Sequence, residues 1–211
     1  MEYTYCIWDF NGTILDDVGL GIYTVNELLK NHGVELVLDR ESYRSRFGFP
    51  IVDYYRELGF DFAKTPYEEL ASEWVKIYMD NLHRASLFDD VIRTLDFFKA
   101  RGIRQSVLSA SEKKMLSYQL DGLGVGGYFE EIMGIDNIYG DSKLSLAKKW
   151  RERNPSEKVI FIGDTTHDIE TACELSAECY IVCAGHQSEE RFSEKNVKLF
   201  STLTELTEAL V

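Results

Sequence analysis

Apolar and polar positions along this chain change their period several times, and each change marks an element. Tyr5-Cys6-Ile7-Trp8 is a continuous apolar run that ends at Asp9, and Gly12-Thr13 turns the chain just beyond it. That pattern predicts a strand buried on both faces, followed by a tight turn. After Asp16-Asp17, which supply an acidic first turn, Val18, Ile22, Val25 and Leu29 recur at helical spacing up to His32-Gly33. A second set, Tyr67, Leu70, Ala71, Trp74, Ile77 and Tyr78, predicts another amphipathic helix, with Tyr67, Trp74 and Tyr78 read as its packing face. Short helices broken around Gly48-Phe49-Pro50 fill the interval. Between Asp16 and about His83 no convincing strand pattern occurs.

From Leu87 onward the two periods alternate. A helix carrying Val91, Leu95 and Phe98, capped by Asp89-Asp90, precedes a strand over 105–109. Helices are expected over 112–123, 143–153, 169–175 and 203–210, and strands over 131–135, 158–163, 179–183 and 197–200. Strands joined through helices of this length require right-handed crossovers and a parallel sheet. The expected fold is α/β: a Rossmann-like parallel core over 1–15 and 84–211, with an all-helical cap subdomain inserted over 16–83.

With 211 residues, 45% of them hydrophobic and 28% charged, the chain has the composition of a soluble globular protein with one core and room for an insertion. No run approaches the roughly 18 apolar residues of a membrane span, and the first strand begins without a signal-peptide pattern, so a cytoplasmic location is expected. A net charge of −13 argues against nucleic acid and anionic membranes as partners. It leaves a small anionic substrate open, because a bound cation can dominate the local field. Cys6, Cys173, Cys179 and Cys183 lack metal-ligand spacing and read as buried free thiols. A monomer and a homodimer fit the sequence equally.

Several polar residues stand where this topology would bring them to one edge of the sheet. Asp9 ends the first strand, Ser109 the second core strand, and Asp164 follows Ile160-Phe161-Ile162-Gly163; Asp168 opens the next helix. Lys143 follows the polar stretch Gly140-Asp141-Ser142. An aspartate just past a strand is commonly a turn former or a cap. Two or three carboxylates at one place, however, repel each other unless a cation joins them, and such hard oxygen ligands suit Mg²⁺. A lysine and a hydroxyl beside them complement phosphate oxygens. A nucleophilic carboxylate, a metal and a phosphate cradle together describe phosphoryl transfer through an aspartyl-phosphate.

At these residues the chain resembles the haloacid dehalogenase-like (HAD) hydrolase superfamily, in the phosphoglycolate phosphatase-like branch with a helical cap after the first motif. Asp9-Phe10-Asn11-Gly12-Thr13 resembles the first motif, Asp-x-Asp-Gly-Thr; Leu108-Ser109 resembles the second. Lys143 is the candidate for the third, and Gly163-Asp164-Thr165-Thr166-His167-Asp168 resembles the fourth, Gly-Asp-x-x-x-Asp. The resemblance implies a phosphatase acting on a small phosphorylated metabolite. Asp9 would attack phosphorus. Mg²⁺ would be held by Asp9, the backbone carbonyl of Asn11 and Asp164, with Asp168 in support. Gly12, Thr13, Ser109, Ala110 and Lys143 would hold the phosphate, and the cap would select the substrate, with Arg44, Arg46 and Tyr54 as candidates.

One position departs from the family. Asn11 stands where the phosphatases carry a second aspartate, the general acid and base, and help of that kind is worth roughly 10²–10⁴ in rate. Three readings follow. The substrate has a good leaving group, such as an acyl or aryl phosphate, or His167, Glu112, Asp53 or Tyr54 supplies the proton. Alternatively the protein is a weakly active or non-catalytic binder of a phosphorylated metabolite. The third reading is a metal-independent 2-haloacid dehalogenase, which the retained acids at 164 and 168 disfavour. His167 also reads as a capping residue and His186 as a surface loop residue.

Overall fold

The computed structural model describes residues 3–140, 142–193, 195 and 197–211, so Asp141 lies outside the described residues. The first apolar run is β1 (Tyr5–Trp8), buried along its whole length. Its side chains alternate between two cores. Cys6 and Trp8 join one hydrophobic cluster, while Tyr5 and Ile7 join the other, so no residue of this strand faces solvent.

Leaving β1, the chain forms β2 (Leu15–Asp16) and then α1 (Val18–Asn31), α2 (Arg40–Arg46), α3 (Ile51–Glu57) and α4 (Tyr67–Asp80). It returns through β3 (Ser86–Leu87), which pairs antiparallel with β2. These two short strands fall outside the expected pattern, because two residues are too few to show a period. The four helices between them share a hydrophobic cluster of their own, including Val18, Val25, Leu28, Leu29, Tyr43, Tyr55 and Leu70.

The remainder runs α5 (Val91–Ala100), β4 (Arg104–Glu112), α6 (Lys113–Gly122), β5 (Ile132–Ile135), α7 (Leu144–Arg153), β6 (Val159–Gly163), α8 (Thr166–Glu174), β7 (Glu178–Val182), β8 (Lys198–Phe200) and α9 (Leu203–Ala209). Among the described residues six strands form one parallel sheet in the order β5-β4-β1-β6-β7-β8. The fold is therefore α/β and Rossmann-like. Connections lead to opposite sides of β1, and ligands of such sheets bind at the carboxyl ends where the order reverses.

Some local expectations differ. β4 continues through Ser109-Ala110-Ser111 to Glu112 with a register shift against β5, because Glu112 caps α6 by accepting from Met115 N at 2.8 Å. α8 begins earlier than its apolar pattern, at Thr166, because Thr165 and Asp168 form a capping box. Asp90 does not cap α5 with its side chain; its carboxylate accepts from Thr204 N and Oγ1 instead. Of the cysteines, Cys6 and Cys179 are buried but Cys173 is exposed, since it lies on the outer face of α8. No described helix is long and apolar enough to cross a membrane.

Candidate active site

The carboxyl ends of β1, β4 and β6 lie side by side, since Trp8 is in register with both Val107 and Ile162. This brings Asp9 between Ser109 and Asp164. The sheet extends one step further: Asp9 N donates to the carbonyl of Ile162 at 2.8 Å. Asp9, Asp164 and Asp168 are buried and each offers an oxygen within 4.8 Å of the others. Lys143, buried at the start of α7, binds a carboxylate oxygen of Asp9, sits 2.7 Å from Oδ1 of Asp168 and donates to the Leu108 carbonyl at 3.1 Å.

One ammonium thus faces three buried carboxylates. Burial pushes the Asp9 carboxyl well above its usual range; the charges of Asp168 and Asp164 add to this and Lys143 opposes it. Burial likewise pushes Asp164 up to about 7, against the nearby positive charge of His186. Burial would also raise Asp168, but Lys143 and the Thr165 hydroxyl hold it below the usual value. His186 is itself paired with Asp17, so a further cation is the physical answer to that imbalance, and an all-oxygen donor set of this kind fits Mg²⁺. The oxygens are not equally free. Asp168 Oδ2 accepts from Asp164 N, Thr165 N and Thr165 Oγ1, and its other oxygen faces Lys143. Asp168 therefore braces the lysine and the Asp164 backbone.

The turn after Asp9 is packed against Asp164. Thr13 Oγ1 donates to Asp164 Oδ1 at 3.2 Å and His186 N donates to Oδ2 at 2.6 Å. Gly12 has φ +73°, and a Cβ there would lie 2.3 Å from Asp164 Oδ2, so glycine is required both for the turn and for the approach. The N–H of Gly12 is not free for an anion. It donates to the Leu15 carbonyl and to Asp17 Oδ1, both at 2.9 Å, while Thr13 N donates to the Phe10 carbonyl at 3.3 Å. Ser109 and Ala110 line the adjoining cavity together with Lys143, and Ser109 Oγ accepts from Ser111 N at 3.1 Å.

Asn11 is held on three sides. Its amide nitrogen donates to Asp17 Oδ2 at 2.8 Å and to Tyr78 Oη at 3.0 Å, and its oxygen accepts from Ser111 Oγ at 2.8 Å. Asp17 also accepts from Tyr78 Oη at 2.8 Å and pairs with His186 Nε2 at 3.1 Å. Burial alone would raise Asp17, yet His186 and these donors hold it below the usual carboxylate range. His186 is correspondingly pushed up to about 9: burial opposes protonation, but Asp17 outweighs it. His186 is thus a buried, charged residue rather than a surface loop residue, because the loop after β7 folds back over Asp164. Asp17 turns inward rather than serving the first turn of α1. Sequence reasoning missed both; the available signals were the doubled acid at 16–17 and the glycine preceding His186.

Other expected residues are dispersed. Arg44 spends its guanidinium on carbonyls of the 183–187 loop, with Nε to Gly185 O at 2.8 Å and Nη2 to Gln187 O at 2.7 Å, and Arg46 is exposed. Asp53 is exposed and paired with Arg56. His167 is buried under Phe49, stacked at 4.6 Å, and paired with Glu170; burial and Lys143 lower its pKa. Tyr54 and Glu112 do line the cavity, which encloses about 990 Å³, part of it open to solvent.

Residues 6–182 match the family model for haloacid dehalogenase-like hydrolases. The chain is 26% identical over 170 residues to a phosphoglycolate phosphatase of Aquifex aeolicus, covering 78% of this chain and 77% of that protein. Among solved structures it superposes on a haloacid dehalogenase-like family hydrolase from Streptococcus pneumoniae with TM-score 0.84 and 17% identity, over 100% and 99% of the two chains. Protein tyrosine kinase A of Mycobacterium tuberculosis superposes with TM-score 0.82 and 21% identity, over 99% of this chain and 98% of that one. At such identities the superpositions speak to fold alone.

Proposed function

The chain belongs to the haloacid dehalogenase-like hydrolases, and from that premise we propose that it is a phosphatase hydrolysing the monoester of a small phosphorylated metabolite in the cytoplasm. The observation that carries this reading is the buried Asp9–Lys143–Asp168 chain beside Asp164, at the carboxyl edge of the central strands. The name of the Aquifex aeolicus relative points to the same class of substrate.

Asp9 is the nucleophile. Its carboxylate attacks phosphorus, the bond to the leaving oxygen breaks, and a phosphoryl group remains on Asp9 until water displaces it. Lys143 opposes the effect of burial on Asp9 and, with the Ser109 hydroxyl and the backbone at Ala110, holds the phosphate oxygens. Asp9, the backbone carbonyl of Asn11 and Asp164 would hold Mg²⁺, and Asp168 supports them through Lys143. When bound, that ion would neutralise phosphate charge and offset the repulsion between Asp9 and Asp164. Asn11 offers hydrogen bonds but carries no proton for transfer, so neither the departure of the leaving group nor the attack of water gets general acid–base help from this position. The helices over 16–83 act as a cap that closes on the site and excludes water.

The test is hydrolysis of acetyl phosphate, an activated and very small substrate, with Mg²⁺ and with EDTA. Turnover that needs the ion and disappears in Asp9→Asn supports the reading; equal turnover by Asp9→Asn contradicts it.

A further inference from the structure

We infer that the substrate is an aryl phosphate, an ester whose leaving group is a phenol-like ring; this rests on the phosphatase reading of Asp9 and names its substrate class. Two unrelated features lead to it.

One is the cavity. Beside Asp9 and Ser109 it is walled by Phe47, Phe49, Tyr55, Trp74, Met115 and Tyr139, contributed by both the helical segment and the core. Several of these rings are already fixed by neighbours. Trp74 stacks on Tyr78 with centroids 4.7 Å apart, and Phe47 lies 5.4 Å from both Tyr43 and Tyr54. Among the described lining residues the cations are Lys143 and His186, and each is bonded to carboxylates, Lys143 to Asp9 and Asp168 and His186 to Asp17. Of the two arginines in the sequence-based substrate set, Arg44 is spent on backbone carbonyls and Arg46 is exposed and does not line the cavity. A leaving group that carries a carboxylate would therefore enter a space walled by aromatic rings in which, among the described lining residues, each cation already has a carboxylate partner, a costly burial. A flat aromatic group matches the walls and gains from edge and face contacts.

The other feature is Asn11. An alkoxide, close to hydroxide in basicity, leaves phosphorus poorly unless an acid protonates it. A phenol has a pKa near 10, so its oxygen departs as the anion. In the reaction Asp9 forms a bond to phosphorus as the bond to the aryl oxygen breaks. The phenolate takes the electron pair and then a proton from solvent. Water next attacks phosphorus, the bond to Asp9 breaks, and inorganic phosphate leaves with Asp9 restored. No step needs a protein acid to protonate the leaving group. The cavity walls and the missing acid thus select the same chemistry from different directions.

The experiment compares four substrates on the wild-type protein with Mg²⁺: phenyl phosphate, benzyl phosphate, phosphoglycolate and acetyl phosphate. Benzyl phosphate has the ring but a poor leaving group, phosphoglycolate has neither ring nor good leaving group, and acetyl phosphate has a good leaving group and no ring. The expected result is kcat/KM for phenyl phosphate at least about 100-fold above phosphoglycolate, the low end of general-acid assistance. Benzyl phosphate should turn over slowly yet inhibit phenyl phosphate hydrolysis competitively, and phosphoglycolate should not. Hydrolysis of acetyl phosphate with phenyl phosphate no better than phosphoglycolate overturns the inference and leaves the phosphatase reading standing. If none of the four is hydrolysed the phosphatase reading fails, and thermal stabilisation by benzyl phosphate but not phosphoglycolate still decides the pocket; stabilisation by phosphoglycolate alone overturns it.

Discussion

The side-chain amide of Asn11 donates to Oδ2 of Asp17 at 2.8 Å, so a carboxylate lies one hydrogen bond away from the position where the family's phosphatases carry their second aspartate. That carboxylate is not available as a spare acid. It is buried, ionised, and shared among Asn11, Gly12, Tyr78 and His186. Asn11→Asp would set two carboxylates at hydrogen-bonding distance, where they cannot both ionise without cost. We expect the single replacement to lower the melting temperature by roughly 2–4 °C for each kcal/mol lost, and to raise alkyl phosphate hydrolysis little. Asn11→Asp with Asp17→Asn should recover stability and hydrolyse alkyl esters faster than either single variant, with a coupling of about 1 kcal/mol or more. Additive effects in thermal melts and in kcat/KM would show that the two positions act independently.

Much of this molecule could be read before the coordinates. The core helices announce themselves because their burial is periodic, and β1 and β6 because theirs is continuous: Ile7 and Trp8 are apolar for the same reason that they are central. The positions of Asp9, Ser109, Lys143 and Asp164 followed from topology, since residues ending neighbouring parallel strands must meet. What stayed hidden was contact across the fold. Nothing in the local pattern around Asp17 distinguishes a helix cap from a buried ion-pair partner of His186, which lies 169 residues away. Arg44 looked like an anion ligand because its charge is visible in sequence and the carbonyls that absorb it are not.

Lys143 should be the most sensitive cation in the protein. Removing it leaves Asp9 and Asp168 buried without their partner, and breaking a buried pair typically costs about 3–5 kcal/mol. Lys143→Ala is therefore expected to lose activity and to unfold at clearly lower urea than wild type in EDTA. Added Mg²⁺ should recover part of that stability, because a second cation relieves the same carboxylates. Denaturation curves at several Mg²⁺ concentrations check this.

Gly185 offers a cleaner probe of the proposed ion site than the ligands themselves. A Cβ at this position would lie 2.2 Å from Asp164 Oδ2, whereas a Cβ at Gly19 meets nothing within 4 Å. Gly185→Ala should weaken Mg²⁺ binding by about 10–100-fold, the usual effect of disturbing a ligand's support. Gly19→Ala, in the exposed face of α1, should leave binding unchanged and add up to about 1 kcal/mol of stability. Calorimetric titration of both variants with Mg²⁺ gives the comparison.

The His186–Asp17 pair makes stability depend on pH. Asp17 holds the imidazolium, raising His186 to about 9 in the folded protein against about 6.5 in an unfolded chain. The folded state thus binds this proton more tightly. The stabilisation is fully present below about pH 6.5 and is lost as the pH rises through about 9, a change on the order of 3 kcal/mol at 1.36 kcal/mol per pKa unit. The urea midpoint should fall between pH 7 and pH 9.5 in wild type, and this slope should flatten in His186→Gln. An unchanged slope in the variant would assign the pH dependence elsewhere.

The most direct measurement is a rapid-mixing assay of phenyl phosphate with Mg²⁺, quenched in acid and followed by peptide mass spectrometry. With Asp9 as nucleophile and Asn11 unable to deprotonate water, the phosphorylated enzyme should form faster than it is hydrolysed. We predict a burst of phenol stoichiometric with enzyme, a phosphoryl group on the peptide containing Asp9, and neither in Asp9→Asn. Phenol released without a burst and without label on that peptide, at the same rate in Asp9→Asn, would contradict it.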